Sequence, residues 1–181
     1  MRIAGFVLLA GLYGCATQGP DFMMAPPSPE LGTVYVYRPA NKNEGGKSPD
    51  VYVGDEKLFA LQNAGYGVLL LPPGQHEVVV KDHLCFPAAR QSVSLRAGEQ
   101  MFLRYAIQDP VRPAPVESSG HWLMDLFQIG ERTAEAKKWS EEWCQLPPRF
   151  EAIEKNAAST EIAQTKLVDG GSAEGVRPKQ K

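Results

Sequence analysis

Between Tyr66 and Lys81 the chain reads YGVLLLPPGQHEVVVK, two β-rich runs joined by Pro72, Pro73 and Gly74. No other stretch limits the fold so strongly. Proline has no amide hydrogen and a fixed φ, so neither a helix nor one continuous strand can run through the junction. Pro73 presets the first corner of a type II turn, and Gly74 is the residue that tolerates the positive φ of the second. Similar runs stand on both sides. TVYVYRP alternates Val34 and Val36 with Tyr35 and Tyr37 until Pro39 stops it. DVYVGDEKLFAL reads as a hairpin turning at Gly54 and Asp55, and NAG at 63–65 makes the next turn. QSVSLRAGEQMFLRYAIQ turns at Ala97 and Gly98 and places Met101, Leu103, Tyr105 and Ile107 on one face, the expected core face. Short runs at this spacing predict a mainly β chain, a small antiparallel β-sandwich.

The second half reads differently. DPVRPAPVESSG carries too many prolines for the middle of a sheet and predicts a long loop, and HWLMDLFQIG is a candidate last strand. ERTAEAKKWSEEWCQL is helical by composition, with Ala136, Trp139 and Trp143 at helical spacing and Pro147 and Pro148 as its stop. This C-terminal helix is expected to pack on the sandwich, its tryptophans docking into the core. Beyond Phe150 large apolar residues thin out, which predicts a weakly helical to disordered tail. The expected organisation is therefore a leader over 1–14, a tether over 15–32, a domain with its helix over 33–148 and a tail over 149–181. With 43% hydrophobic residues in 181, the chain can bury one proper core.

The leader is read from Arg2 followed by eleven apolar or small residues, IAGFVLLAGLY. That length suits a secretory leader, whereas a membrane-spanning helix needs about 20 residues. Leu12, Tyr13, Gly14 and Cys15 resemble the bacterial lipobox. The resemblance implies cleavage before Cys15, diacylglycerol on its thiol and, usually, a further acyl chain on the new N-terminus. Each buried acyl CH₂ contributes about 0.8 kcal/mol, so two or three chains anchor firmly where one does not. Ala16 in place of aspartate after the cysteine resembles outer-membrane sorting. Ordinary secretion, with cleavage after Ala16, also fits a small-x-small site. The 17 residues from Ala16 to Gly32 are rich in proline and small residues. Read as a tether, they reach about 50 Å when extended.

If Cys15 is acylated, Cys85 and Cys144 remain as an even pair in an oxidising compartment. A disulfide between them is the expectation, worth about 4 kcal/mol for a loop of about 59 residues; two buried thiols that never meet are the alternative. The formal charge of −2 gives no electrostatic reason to expect a nucleic-acid partner.

No catalytic constellation emerges from the motifs. NKNEGGKSPD ends like a phosphate-binding loop, but Asn41 stands where the first glycine is required, and Ser48 is followed by proline and a strand instead of a helix. His76 and His83 lie an odd number of residues apart and point to opposite faces of a strand, so with Cys85 they make no metal site. His121 with Ser118 or Ser119 lacks the glycine-framed elbow of a serine nucleophile. Acidic residues are scattered singly. The expectation is no enzyme, no cofactor and no metal.

In order along the chain, TVYVYRP, DVYVGDEKL, NAGYGVLLLPPGQHEVVV and SLRAGEQMFLRY resemble a family of bacterial lipoproteins designated domain of unknown function twenty-eight forty-six. The resemblance covers about residues 33–107; LPPGQHEVVV is also similar to the small PEGA-type β-sandwich repeat. It implies a compact sandwich exposed to the periplasm, with no catalytic residues to transfer. Cys85, the proline-rich loop at 109–117 and the long tail depart from the pattern. The functional expectation is a lipid-anchored outer-membrane protein facing the periplasm, held in the bilayer through acylated Cys15. It would act as a non-catalytic binding or structural module for an envelope protein or cell-wall partner. Two alternatives are peptidoglycan or carbohydrate binding through Trp122, Trp139 or Trp143, and an envelope enzyme with an unrecognised site.

Overall fold

The computed structural model describes residues 19–41, 48–82, 87–107, 148–168, 170–172 and 175–179. Cys15, Cys85, Cys144, His83, His121, Ser118, Ser119 and the three tryptophans lie outside these residues, as do the expected helix over 131–146 and the candidate strand over 121–130.

Among the described residues, nine strands form two sheets. They are β1 (Gly32–Arg38), β2 (Asp50–Val53), β3 (Glu56–Ala60), β4 (Gly65–Leu71), β5 (Gly74–Lys81), β6 (Ala89–Leu95), β7 (Gln100–Ala106), β8 (Arg149–Ile153) and β9 (Lys166–Leu167), with one helix, α1 (Lys155–Ile162), between the last two. The first sheet has the order β8-β7-β1-β4-β9 and the second β3-β2-β5-β6. Pairing is parallel at β1–β7 and β4–β9 and antiparallel elsewhere. The fold is the expected mainly β sandwich.

Turn chemistry decides which neighbours in sequence pair. Gly54, with φ 60°, closes the expected β2–β3 hairpin. The Pro72–Pro73 junction does something else: β4 belongs to the first sheet and β5 to the second. A two-residue hairpin loop needs positive φ at its first central residue, which proline cannot adopt. The chain therefore turns a corner and crosses to the facing sheet, with Gly74 at φ 134°. The turn at Ala97 and Gly98 crosses back in the same way, from β6 to β7. Arriving from the other layer, β7 docks parallel to β1, and its neighbouring Glu99 carbonyl accepts a hydrogen bond from the Thr33 amide (2.8 Å).

The main core fills the space between the sheets. Val34, Val36, Leu69, Leu71, Leu103 and Tyr105 from the first sheet meet Val51, Phe59, Val78, Val80, Val93 and Leu95 from the second. Met101 and Ile107 pack against it half-buried, so the face read from the β7 sequence is the core face. On the far side of the second sheet, Arg90, Ser92 and Ser94 of β6 are exposed, whereas Asp50 of β2 and Val79 of β5 are buried.

The first sheet is covered on both sides at its centre, while its edge strand β8 exposes Arg149 and Ala152. β1 is buried at every residue, because a further layer covers the sheet's outer side. There Tyr35, Tyr37, Tyr66, Val68 and Phe102 form a second core with Ala158 and Ile162 of α1. Ala158 and Ile162 are spaced i, i+4 and so share one helix face. A helix of eight residues is marginal alone, and this docking is what holds it.

Two boundaries differ from the sequence expectation. The stretch read as a tether is packed down from Pro20, whose carbonyl accepts from the Leu167 amide (2.9 Å). Phe22 then meets Tyr35 and Tyr66 edge-on, with ring centroids 5.6 and 5.2 Å apart. The Ala25 amide donates to the Tyr35 hydroxyl at 3.0 Å, and the Ala25 carbonyl accepts from Gln100 Nε2 at 2.9 Å. Composition suggested a solvated linker, but one aromatic residue and an available tyrosine hydroxyl are enough to hold it as a strap. The stretch read as a tail instead supplies β8, α1 and β9 to the first sheet and its outer layer. These short elements carry little apolar pattern of their own and are held by the sheet they complete.

Candidate functional site

Among the described residues, two places gather side chains whose chemistry exceeds packing. The first is a row of polar groups across the outer face of the first sheet. Strand register sets Tyr66, Tyr37, Arg104 and Glu151 side by side on β4, β1, β7 and β8, next to an apolar row of Val68, Tyr35, Phe102 and Ile153. Glu161 enters from α1. Arg104 donates from Nη1 to Glu161 Oε1 (2.8 Å) and from Nε to Glu151 Oε2 (3.0 Å), with a second bond from Nη2 to the same oxygen. The Tyr37 hydroxyl donates to the other oxygen of Glu161 at 2.8 Å, and Arg149 Nε reaches Glu151 Oε1 at 3.1 Å.

The electrostatics follow from these contacts. Burial, reinforced by the Glu161 carboxylate, raises the Tyr37 pKa far above that of a free phenol. The hydrogen bond from Arg104 holds the Glu151 carboxyl below the ordinary carboxylate range. Tyr37 is thus a neutral donor and Glu151 an anion at any ordinary pH. Each carboxylate is engaged by fixed donors, and the cluster acts as a staple between α1 and the sheet. Sequence reasoning separated Tyr35 and Tyr37 from the valine face but did not find this row. Its signal was there: hydroxyl-bearing aromatics alternating with valines suggest a second, partly polar buried face.

The second place is an open cleft of about 400 Å³ at one end of the sandwich, near the lower end of the range for small-molecule sites. Leu31, Val53, Leu70 and Pro72 give it an apolar floor, and His76, Arg177, Pro178 and Lys179 stand around it. The C-terminal segment reaches it by running along β4. Val176 donates to the Val68 carbonyl (2.7 Å) and accepts from the Leu70 amide (3.0 Å). Gly175 makes this path accessible: its φ is 97°, and a β-carbon there would lie 2.5 Å from Leu70 Cγ. The Lys179 amide then donates to Glu56 Oε2 at 2.6 Å, tying the segment to the second sheet.

His76 donates from Nε2 to the Pro72 carbonyl (2.7 Å), which fixes its ring at the rim. The side chains of Arg177 and Lys179 have no anionic partner among the described residues. The cleft can therefore hold a group that is apolar at one end and anionic at the other.

Of the histidines singled out in the sequence, His76 is brought to this rim. No three His, Cys, Asp or Glu side chains gather among the described residues. The phosphate-loop look-alike runs through Ser48 and Pro49 into β2, with no helix following it. No helix among the described residues is long and apolar enough to cross a membrane. No curated protein matches the chain. Residues 29–121 match the family model described as Protein of unknown function (DUF2846), a span that takes in β1 to β7 and half of the chain, and the chain belongs to that family.

Proposed function

We propose that the protein is a lipid-anchored module of the bacterial envelope that holds an envelope protein partner without catalysing a reaction. The anchor rests on Leu12, Tyr13, Gly14 and Cys15, and the binding role on the cleft. The observation that carries it is the meeting of an apolar floor with Arg177 and Lys179, two cations that the described residues leave unneutralised. An acidic side chain or terminal carboxylate next to an apolar residue satisfies both halves of the cleft. Charge-assisted bonds to such a group contribute more than neutral ones.

The test has two parts. Intact mass of the mature protein, with and without reduction, reports cleavage before Cys15, acyl chains, and the two hydrogens gained if Cys85 and Cys144 are bridged. A short peptide ending in an acidic and an apolar residue is then titrated into the protein. The expected result is chemical-shift change at Val53, Leu70 and His76 that weakens with salt and disappears in the Arg177→Gln/Lys179→Gln variant. Unchanged binding in that variant, or shifts elsewhere, refutes the cleft as the site.

A further inference from the structure

Among the described residues, the exposed large hydrophobics are two neighbours on the strap, Met23 (72% exposed) and Met24 (37%). Their position is fixed from both sides. Asp21 pairs with Lys166 and Phe22 is seated between Tyr35 and Tyr66, while on the other side Ala25 is bonded to Tyr35 and Gln100. A held segment that presents two adjacent methionines to water suits an apolar occupant better than a flexible loop would.

The surface around them is short of free charge. Asn156, Ala157 and Thr160 on α1, with Ala163 and Gln164 after it, are exposed and uncharged. The charged groups of this layer are largely engaged. Asp21 is paired with Lys166, Lys155 bonds Gln100 Oε1, and Glu161 is held by Tyr37 and Arg104. Glu154 and, at the far end of the strap, Glu30 are the exposed acids without a side-chain partner among the described residues.

Chain length then selects the occupant. Pro20 is already bonded to Leu167, so at most about 18 Å of extended chain separates it from Cys15. The full tether would have reached about 50 Å. With acyl chains on Cys15, the short leash keeps the strap and α1 beside the headgroup layer. Met23 follows Pro20 by three residues.

We propose that the face formed by the strap and α1 lies against the bilayer, with Met23 and Met24 entering the boundary between headgroups and acyl chains. This rests on the lipid-anchor reading of Cys15 and adds an orientation: the opposite sheet, β3-β2-β5-β6, faces the periplasm.

The experiment uses the full mature protein in phosphatidylethanolamine–phosphatidylglycerol vesicles, in which some phosphatidylethanolamine carries a photoactivatable diazirine on an acyl chain. Intact mass is measured on the same sample. Carbene adducts are expected at Met23 and Met24, absent from Arg90, Ser92 and Ser94, and largely lost in the Met23→Ser/Met24→Ser variant. Acylated protein without adducts at the two methionines, or with adducts on β6, overturns the orientation while leaving the anchor standing. A mass without acyl chains removes the anchor and the orientation with it. Sedimentation of the Cys15→Ser protein gives a further check: a dimer abolished by Met23→Ser/Met24→Ser assigns the patch to a second copy and also overturns the proposal.

Discussion

Gly67 lies on the inner face of β4 opposite Val36, and the ring of Phe59 from β3 presses against it across the sandwich. A β-carbon at this position would fall 2.3, 2.5 and 2.7 Å from Phe59 Cζ, Cε2 and Cε1. Ordinary carbon contacts begin near ~3.5 Å, so the ring would have to move by about 1 Å. It is 2% exposed and has core on every side. Gly67→Ala is therefore an overpacking change costing about 1–3 kcal/mol. Because the φ of Gly67 lies outside the left-handed region, alanine adds no backbone strain. It recovers about 0.4–1 kcal/mol by restricting the unfolded chain. The expected net loss is about 1–2 kcal/mol, a fall of roughly 0.5–1 M in the urea midpoint. Equilibrium urea unfolding of the mature chain carrying Cys15→Ser, followed by far-ultraviolet circular dichroism, measures it. Phe59→Leu alone leaves a cavity and costs about 1–2 kcal/mol, but with Gly67→Ala it makes room for the methyl group. The double variant should be more stable than the sum of the two losses by about 0.5–2 kcal/mol. Gly67→Ala at or above wild-type stability, or strict additivity in the pair, would refute the reasoning.

Arg104→Met leaves Glu151 and Glu161 without their shared cation; a loss of about 1.5–3 kcal/mol is expected, with faster amide exchange at Ala158 and Ile162. Exchange in α1 no faster than in wild type would show that the staple does not hold the helix. The pH dependence follows from Glu151, whose folded pKa lies below its unfolded value of about 4.3. Its contribution is complete above that value and is lost as pH falls through the folded pKa. Between about pH 6 and pH 3 the wild type should thus lose more thermal stability than Glu151→Gln; equal losses would argue against it. Phe22→Ala removes two edge-on aromatic contacts, and the expected cost of about 1–3 kcal/mol should appear with faster proteolysis over residues 20–31. Unchanged cleavage would mean that the bonds to Ala25 hold the strap without the ring.

Local chemistry made much of this fold readable. Alternation in TVYVYR and MFLRYAI defined strand faces, and Gly54 and Asp55 marked a hairpin, because a side chain's direction along a strand depends only on its position in the chain. The candidate sites were less accessible. The row Tyr66–Tyr37–Arg104–Glu151 draws on four strands and, with Glu161, a helix, and the cleft joins residues as distant as Leu31 and Lys179. No spacing rule links such positions.

The sequence by itself determined the strand-rich class, the core face of β7, the hairpin at Gly54 and the family, since each rests on residue type and short-range order. Only the tertiary structure decided that the Pro72–Pro73 corner joins two sheets, that β1 and β7 run parallel, and that residues 20–31 and 149–168 cover or complete the first sheet. Those outcomes depend on which apolar faces remain to be buried once the strands have met. Weakly patterned segments such as the strap and α1 take their structure from the surface they cover.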